Sequence, residues 1–82
     1  MLKNLSKFKI GESGIIKNVL GEGKLRRRLF DMGVTTGAKV TLIKKAPLGD
    51  PIEVNIRGYE LTLRKSEACL VEMEVEEWFV LL

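Results

Sequence analysis

Ile52-Glu53-Val54-Asn55-Ile56-Arg57-Gly58-Tyr59-Glu60-Leu61-Thr62-Leu63 carries the clearest structural signal in the chain. Ile52, Val54 and Ile56 alternate with Glu53 and Asn55. After Arg57-Gly58, Tyr59, Leu61 and Leu63 alternate with Glu60 and Thr62. A period of two on both sides of a short loop is the signature of a β-hairpin. With Arg57 and Gly58 as the loop, Ile56 pairs with Tyr59, Val54 with Leu61 and Ile52 with Leu63, which puts every apolar side chain on one face. A slip of one residue would turn that whole set toward water, so the pattern fixes the register. Gly58 supplies the φ that a side chain resists.

Working outward, three more segments read as strands: Gly14 to Val19, Lys39 to Lys44, and Leu70 to Val75. Between the first two lies Leu25-Arg26-Arg27-Arg28-Leu29-Phe30-Asp31-Met32-Gly33-Val34-Thr35-Thr36-Gly37. Leu25, Leu29 and Met32 fall at i, i+4 and i+7, which predicts a short helix with those three on its core face and the arginines and Asp31 mostly elsewhere. Gly33 is placed to end that helix at positive φ, and Gly37 closes the turn into the next strand. Ser66-Glu67-Ala68-Cys69 suits a single helical turn with Ser66 as N-cap, and Cys69 reads as a small buried hydrophobe. About five short strands with tight links cannot form a parallel βαβ sheet. The expected fold is a mainly β, small antiparallel barrel with one short helix after its first strand, closure hiding the sheet edges.

The chain has 82 residues and a net charge of +3. That length gives one small domain, expected to bury about 60–65% of its unfolded surface. Residues 1 to 45 hold 11 basic and 3 acidic residues, a balance of +8, and residues 46 to 82 hold 3 and 8, a balance of −5. Pairing across the sheet neutralises much of this. A basic patch survives where Arg26 to Arg28 and Lys44-Lys45 meet solvent. With one cysteine and no histidine, a single chain cannot build a disulfide framework or a soft-ligand metal site. No metal-ligating set, cofactor site or catalytic residue is predicted.

The N-terminal stretch has neither an apolar h-region nor a small-residue cleavage site. The apolar run Trp78 to Leu82 is far short of the ~20 residues that span a bilayer. A cytoplasmic location with no membrane insertion is the expectation. The division is a barrel over residues 1–76 followed by an apolar extension over 77–82. Those five consecutive apolar residues, Trp78-Phe79-Val80-Leu81-Leu82, are expected to cover one end of the barrel or to join two copies of the chain.

Two segments look made for contact. Pro47-Leu48-Gly49-Asp50-Pro51 is a rigid turn with an apolar tip, and Gly49 gives it its bend. Leu48 either folds back on the barrel or serves as a docking anchor. Arg26, Arg27 and Arg28 on the helix either solvate an outer face or meet phosphate or an acidic partner, with Asp31 on the same helix. Candidate protein-binding residues are therefore Arg26, Arg27, Asp31, Leu48 and Asp50. Gly21-Glu22-Gly23-Lys24 does not make a phosphate loop, because glycine is missing at Asn18 and Ser or Thr at Leu25. Five aromatic residues in all are few for a single-strand nucleic-acid binder, which stacks bases on several. Nucleic-acid binding by a small barrel stays as the alternative reading.

Gly11-Glu12-Ser13-Gly14, the helix end Leu29 to Gly33, Thr36-Gly37, Pro47 to Pro51 and Arg57-Gly58-Tyr59 occur in the order in which they occur in FeoA proteins. The chain resembles that family from about Leu5 to Glu76. The resemblance implies an SH3-like β-barrel, a role in bacterial ferrous iron uptake, and action with FeoB, the membrane ferrous iron transporter with a cytosolic GTP-binding domain. It also implies a fold shared with the C-terminal domain of some iron-dependent repressors. The apolar tail departs from the family pattern.

Overall fold

The computed structural model of the chain describes residues 1–75. Six strands form one antiparallel sheet: β1 (Leu2–Asn4), β2 (Ser13–Val19), β3 (Lys39–Lys45), β4 (Ile52–Ile56), β5 (Tyr59–Leu63) and β6 (Val71–Val75). Helix α1 (Gly23–Asp31) joins β2 to β3, and the one-turn helix α2 (Lys65–Ala68) joins β5 to β6. The strand order is β1-β6-β2-β3-β4-β5.

The hairpin forms in the register its pattern dictates. Ile52 pairs with Leu63, Val54 with Leu61 and Ile56 with Tyr59. Arg57 and Gly58 both adopt positive φ, 51° and 86°, the combination whose twist matches that of the flanking strands. Burial is less even than the alternation predicts. Ile52, Val54, Ile56 and Leu63 are buried, Leu61 is half-buried, and Tyr59 is exposed. β4 has neighbours on both sides whereas β5 is an edge, so the first residues of β5 overhang the core.

The expected barrel is not closed by strand pairing. β1 and β5 end the order and do not pair with each other. The sheet instead bends at two irregularities. An extra residue in β2 lies between Ile16 and Asn18 opposite Met73 and Glu72, and another in β3 lies between Leu42 and Lys44 opposite Val54 and Glu53. Such bulges kink a strand and increase its twist. They curl the sheet around a core that includes Phe8, Ile16, Leu29, Leu42, Ile56 and Met73.

The sixth strand, beyond the five expected, is β1. It pairs with β6, with Lys3 opposite Met73, and leads into a 3₁₀ turn at Leu5–Lys7. Behind it Leu5 and Phe8 fill one end of the core. Phe8 packs so close to β2 that a Cβ on Gly14 would lie 3.2 Å from its ring and 2.9 Å from the Glu74 carbonyl oxygen. The segment is pinned from outside as well, because Lys3 Nζ donates to both oxygens of Glu12 at 2.9 and 3.0 Å.

Three smaller expectations are corrected. Leu25 is exposed, because only the C-terminal part of α1 reaches the core, through Leu29 with Phe30 and Met32 beside it. Cys69 is exposed at the end of α2, where Ala68 faces inward instead. Ser66 lies inside α2, and the N-cap is Arg64, whose backbone N–H donates to Glu67 Oε1 at 2.9 Å. The expectation for Trp78 to Leu82 lies outside the described residues.

Candidate functional site

The end of α1 is fixed by its own backbone. Gly33 N–H donates to Phe30 O at 3.0 Å and Val34 N–H to Leu29 O at 2.9 Å. This pair of bonds is the Schellman motif, which needs its C′ residue in the left-handed region, and Gly33 has φ 92°. Leu29 and Val34, the two residues the motif brings together, are both buried. Gly37, Gly49 and Gly58 also stand at positive φ in their turns.

The hairpin then holds this helix end from the other side. Tyr59 Oη donates to Met32 O at 2.5 Å, and Arg57 Nη2 donates to Thr35 Oγ1 at 2.6 Å. A Cβ on Gly33 would collide with Tyr59 Oη. So the two exposed side chains of the β4–β5 turn orient α1 and the loop after it, and with them the arginine face.

Along that face the three arginines differ. Arg26 is a strut: its Nε donates to Val19 O at 3.1 Å and its guanidinium lies 4.5 Å from the centroid of the Phe30 ring. Arg27 is exposed and makes no hydrogen bond or ion pair with the described residues. It borders, with Arg26, Phe30 and Gly21 to Gly23, a groove of about 420 Å³. Asp31 is exposed beside it. Arg28 points to α2, its Nε 3.9 Å from Glu67 Oε2.

The proline-flanked turn is closed by Gly49 N–H donating to Ala46 O at 2.7 Å and Ala46 N–H to Pro51 O at 3.0 Å. At its tip Leu48 is 93% exposed, so of its two readings the fold leaves it in solvent. Asp50 is partly occupied: Oδ1 accepts from Lys65 N–H at 3.0 Å, which ties the turn to α2.

The candidate residues therefore fall into two groups. Arg26, Arg27 and Asp31 share the outer face of α1. Asp50 lines a second groove with Arg28, Pro51, Thr62, Arg64 and Glu67, and that groove joins the turn to the helix. Glu67 was not among the residues singled out in the sequence. The one signal for it is its place three residues after Arg64, the spacing at which a glutamate reaches back to a helix start. No group of three or more Cys, Asp or Glu side chains able to hold a metal ion occurs among the described residues.

The family model for the FeoA domain matches residues 3–75, nearly all of the described chain. The chain belongs to the FeoA family. A curated relative, the Fe(2+) transport protein A/Fe(2+) transporter FeoB fusion protein of Porphyromonas gingivalis, is 35% identical over 71 residues. The match takes in 87% of this chain and 8% of that much longer protein. Among solved structures, the FeoA-like protein of Clostridium acetobutylicum superposes with a TM-score of 0.82 at 40% identity, covering 88% of this chain and 84% of that one. Stenotrophomonas maltophilia FeoA, a prokaryotic SH3 domain protein solved with zinc, gives 0.74 at 28% identity over 90% of this chain and 89% of its own. The bent antiparallel sheet of this FeoA protein is thus the SH3-like fold of its relatives, and its family is associated with ferrous iron transport. No helix among the described residues is long and apolar enough to cross a membrane.

Proposed function

We propose that this FeoA protein is a non-enzymatic accessory factor of ferrous iron uptake, working in the cytoplasm by docking on the cytosolic part of a FeoB-type transporter. The observation that carries this reading is the fusion relative, in which a FeoA segment and a FeoB transporter are one polypeptide. Covalent linkage makes sense for two modules that act together, because it raises their effective concentration. Stenotrophomonas maltophilia FeoA, itself a candidate activating factor of bacterial ferrous iron transport, supports the same role.

Two surfaces suit the docking. Leu48 stands in water on a hydrogen-bonded turn, so little conformational freedom is lost when it is buried, and its burial contributes roughly 2 kcal/mol. Arg27, exposed and without a hydrogen bond or ion pair to the described residues, offers its charge to an acidic surface. Arg26 and Asp50 position these two, and Asp31 flanks them. No catalytic role is assigned. The carboxylates of β6, Glu72 and Glu74, alternate with buried Val71, Met73 and Val75 along a half-exposed sheet face, whereas acid–base catalysis needs its groups convergent in a cleft.

Iron uptake by cells carrying Arg27→Glu or Leu48→Asp in place of the wild type tests the reading. Both variants are expected to be folded and to weaken transporter binding or uptake, the effect of Arg27→Glu falling as ionic strength rises and that of Leu48→Asp changing little. Normal uptake with both folded variants would contradict it.

Self-association through residues 78–82 is a separate proposal. Five adjacent large apolar side chains left in water forfeit roughly 1.5–3 kcal/mol each. Light scattering on the full chain and on a chain truncated after Glu77 tests it. A lower mass for the truncated protein is expected, and equal monomer masses would contradict it.

A further inference from the structure

Glu67 is the buried charged residue among the described residues, with a side chain 4% exposed. Its Oε1 is held by the Arg64 backbone N–H, but no hydrogen-bond donor among the described residues reaches Oε2. The cation that approaches, Arg28, stops at 3.9 Å on a side chain 62% exposed, beyond hydrogen-bond range. A buried carboxylate oxygen left without a donor is costly, so a donor that can enter gains an interaction the fold leaves unmade.

A donor can enter. Glu67 lines an open groove of about 520 Å³ together with Arg28, Asp50, Pro51, Thr62 and Arg64. Asp50 adds a second carboxylate to it, held through Oδ1 by Lys65 N–H. Each carboxylate is thus fixed by one oxygen, with the other unbonded among the described residues.

We infer that this groove is a receptor for an arginine side chain of a protein partner. Its guanidinium donates to Glu67 Oε2, and Asp50 supplies the second negative charge. The planar fork of N–H groups suits paired carboxylates, and the Pro51 ring gives its stem an apolar wall. Arg28 is an internal stand-in, the right chemistry at too long a distance, and an incoming arginine displaces it. Nothing in this chemistry depends on the transporter reading.

Methylguanidinium chloride, titrated at constant ionic strength into the full-length, isotope-labelled protein, tests the site without any partner. Saturable NMR shifts are expected at the Glu67 carboxyl carbon and at the Thr62 and Arg64 amides. Binding should tighten roughly threefold in Arg28→Ala, where the stand-in is gone, and weaken about tenfold or more in Glu67→Gln. Should Glu67→Gln not fold, the exposed Arg28→Ala still carries the comparison. Four results would overturn the inference: no saturable shift in either wild type or Arg28→Ala; weaker binding in Arg28→Ala; equal shifts with methylammonium chloride; or saturation by sodium acetate, which would make Arg28 and Arg64 an anion site.

Discussion

At the end of α1, around Leu29, the chain turns its bonding capacity inward, whereas in the turn around Leu48 it presents a side chain that the fold does not use. Leu29 is wholly buried and its carbonyl closes the Schellman motif with Val34. Leu48, in a turn closed by Gly49 N–H to Ala46 O and Ala46 N–H to Pro51 O, is 93% exposed. The two leucines share a side chain and differ in what their backbones do with it. Both sites are locally ordered, so exposure at Leu48 does not come from a loose loop. It is the feature of the surface that a partner can exploit most cheaply in entropy.

The sharpest way to break the contrast is to shorten each leucine. Leu29→Ala is expected to destabilise the protein by about 3 kcal/mol, through lost burial and the cavity left behind. Leu48→Ala should change stability by less than about 0.5 kcal/mol. Urea unfolding of the two variants measures both, and equal effects would erase the distinction.

Gly33→Ala sharpens it further, since it alters the backbone and not the burial. A Cβ there meets Tyr59 Oη and occupies the left-handed region, so the variant should lose about 2 kcal/mol together with the Tyr59 to Met32 hydrogen bond. In Tyr59→Phe the same Gly33→Ala substitution should cost less, because the clash is gone. A double-mutant cycle reads the coupling.

Glu12, held by Lys3 Nζ and the Lys9 backbone N–H, gives a smaller, pH-dependent effect. Burial works to raise its pKa, but the Lys9 backbone N–H and the Lys3 ammonium together hold it below the ordinary carboxylate value. A carboxyl whose folded pKa is depressed stabilises the protein above its unfolded pKa, and that contribution disappears as pH falls through the folded value. Glu12→Gln should therefore cost about 1 kcal/mol at pH 7, with the gap to wild type closing as the solution is acidified below the unfolded carboxylate range. A gap that is constant with pH would assign the effect to packing. Arg27→Glu should have the smallest effect on stability, within about 0.5 kcal/mol, because Arg27 is exposed and bonds to none of the described residues.

How much of this was readable in the sequence depends on how local the cause was. The hairpin register and the Gly33 stop follow from neighbours a few residues apart, and the structure has both. β1 was not readable, since three residues show no period and their pairing partner β6 lies at the other end of the chain. Leu25 and Tyr59 carry the correct spacing but lie where helix and hairpin overhang the core, and spacing says nothing of overhang. Ser66 has the right chemistry for an N-cap, yet the Arg64 backbone and Glu67 already close that turn. Of the candidate site, the exposure of the helix face and of the proline turn was readable, and the structure leaves both in solvent. The groove that joins them was not, because Arg28, Asp50 and Glu67 come together only through the tertiary placement of α1 against α2.

Docking on a FeoB-type transporter, as proposed above, draws on two surfaces that the fold leaves exposed, the Leu48 turn and the Arg27 face of α1. An NMR titration of the labelled full chain with the cytosolic domain of a FeoB transporter tests it most directly. Saturable amide shifts are expected to concentrate at residues 24–31 and 46–51 and to vanish when Arg27→Glu is combined with Leu48→Asp. Absence of binding, or shifts confined to the β1–β6 side of the sheet and indifferent to those substitutions, would contradict it.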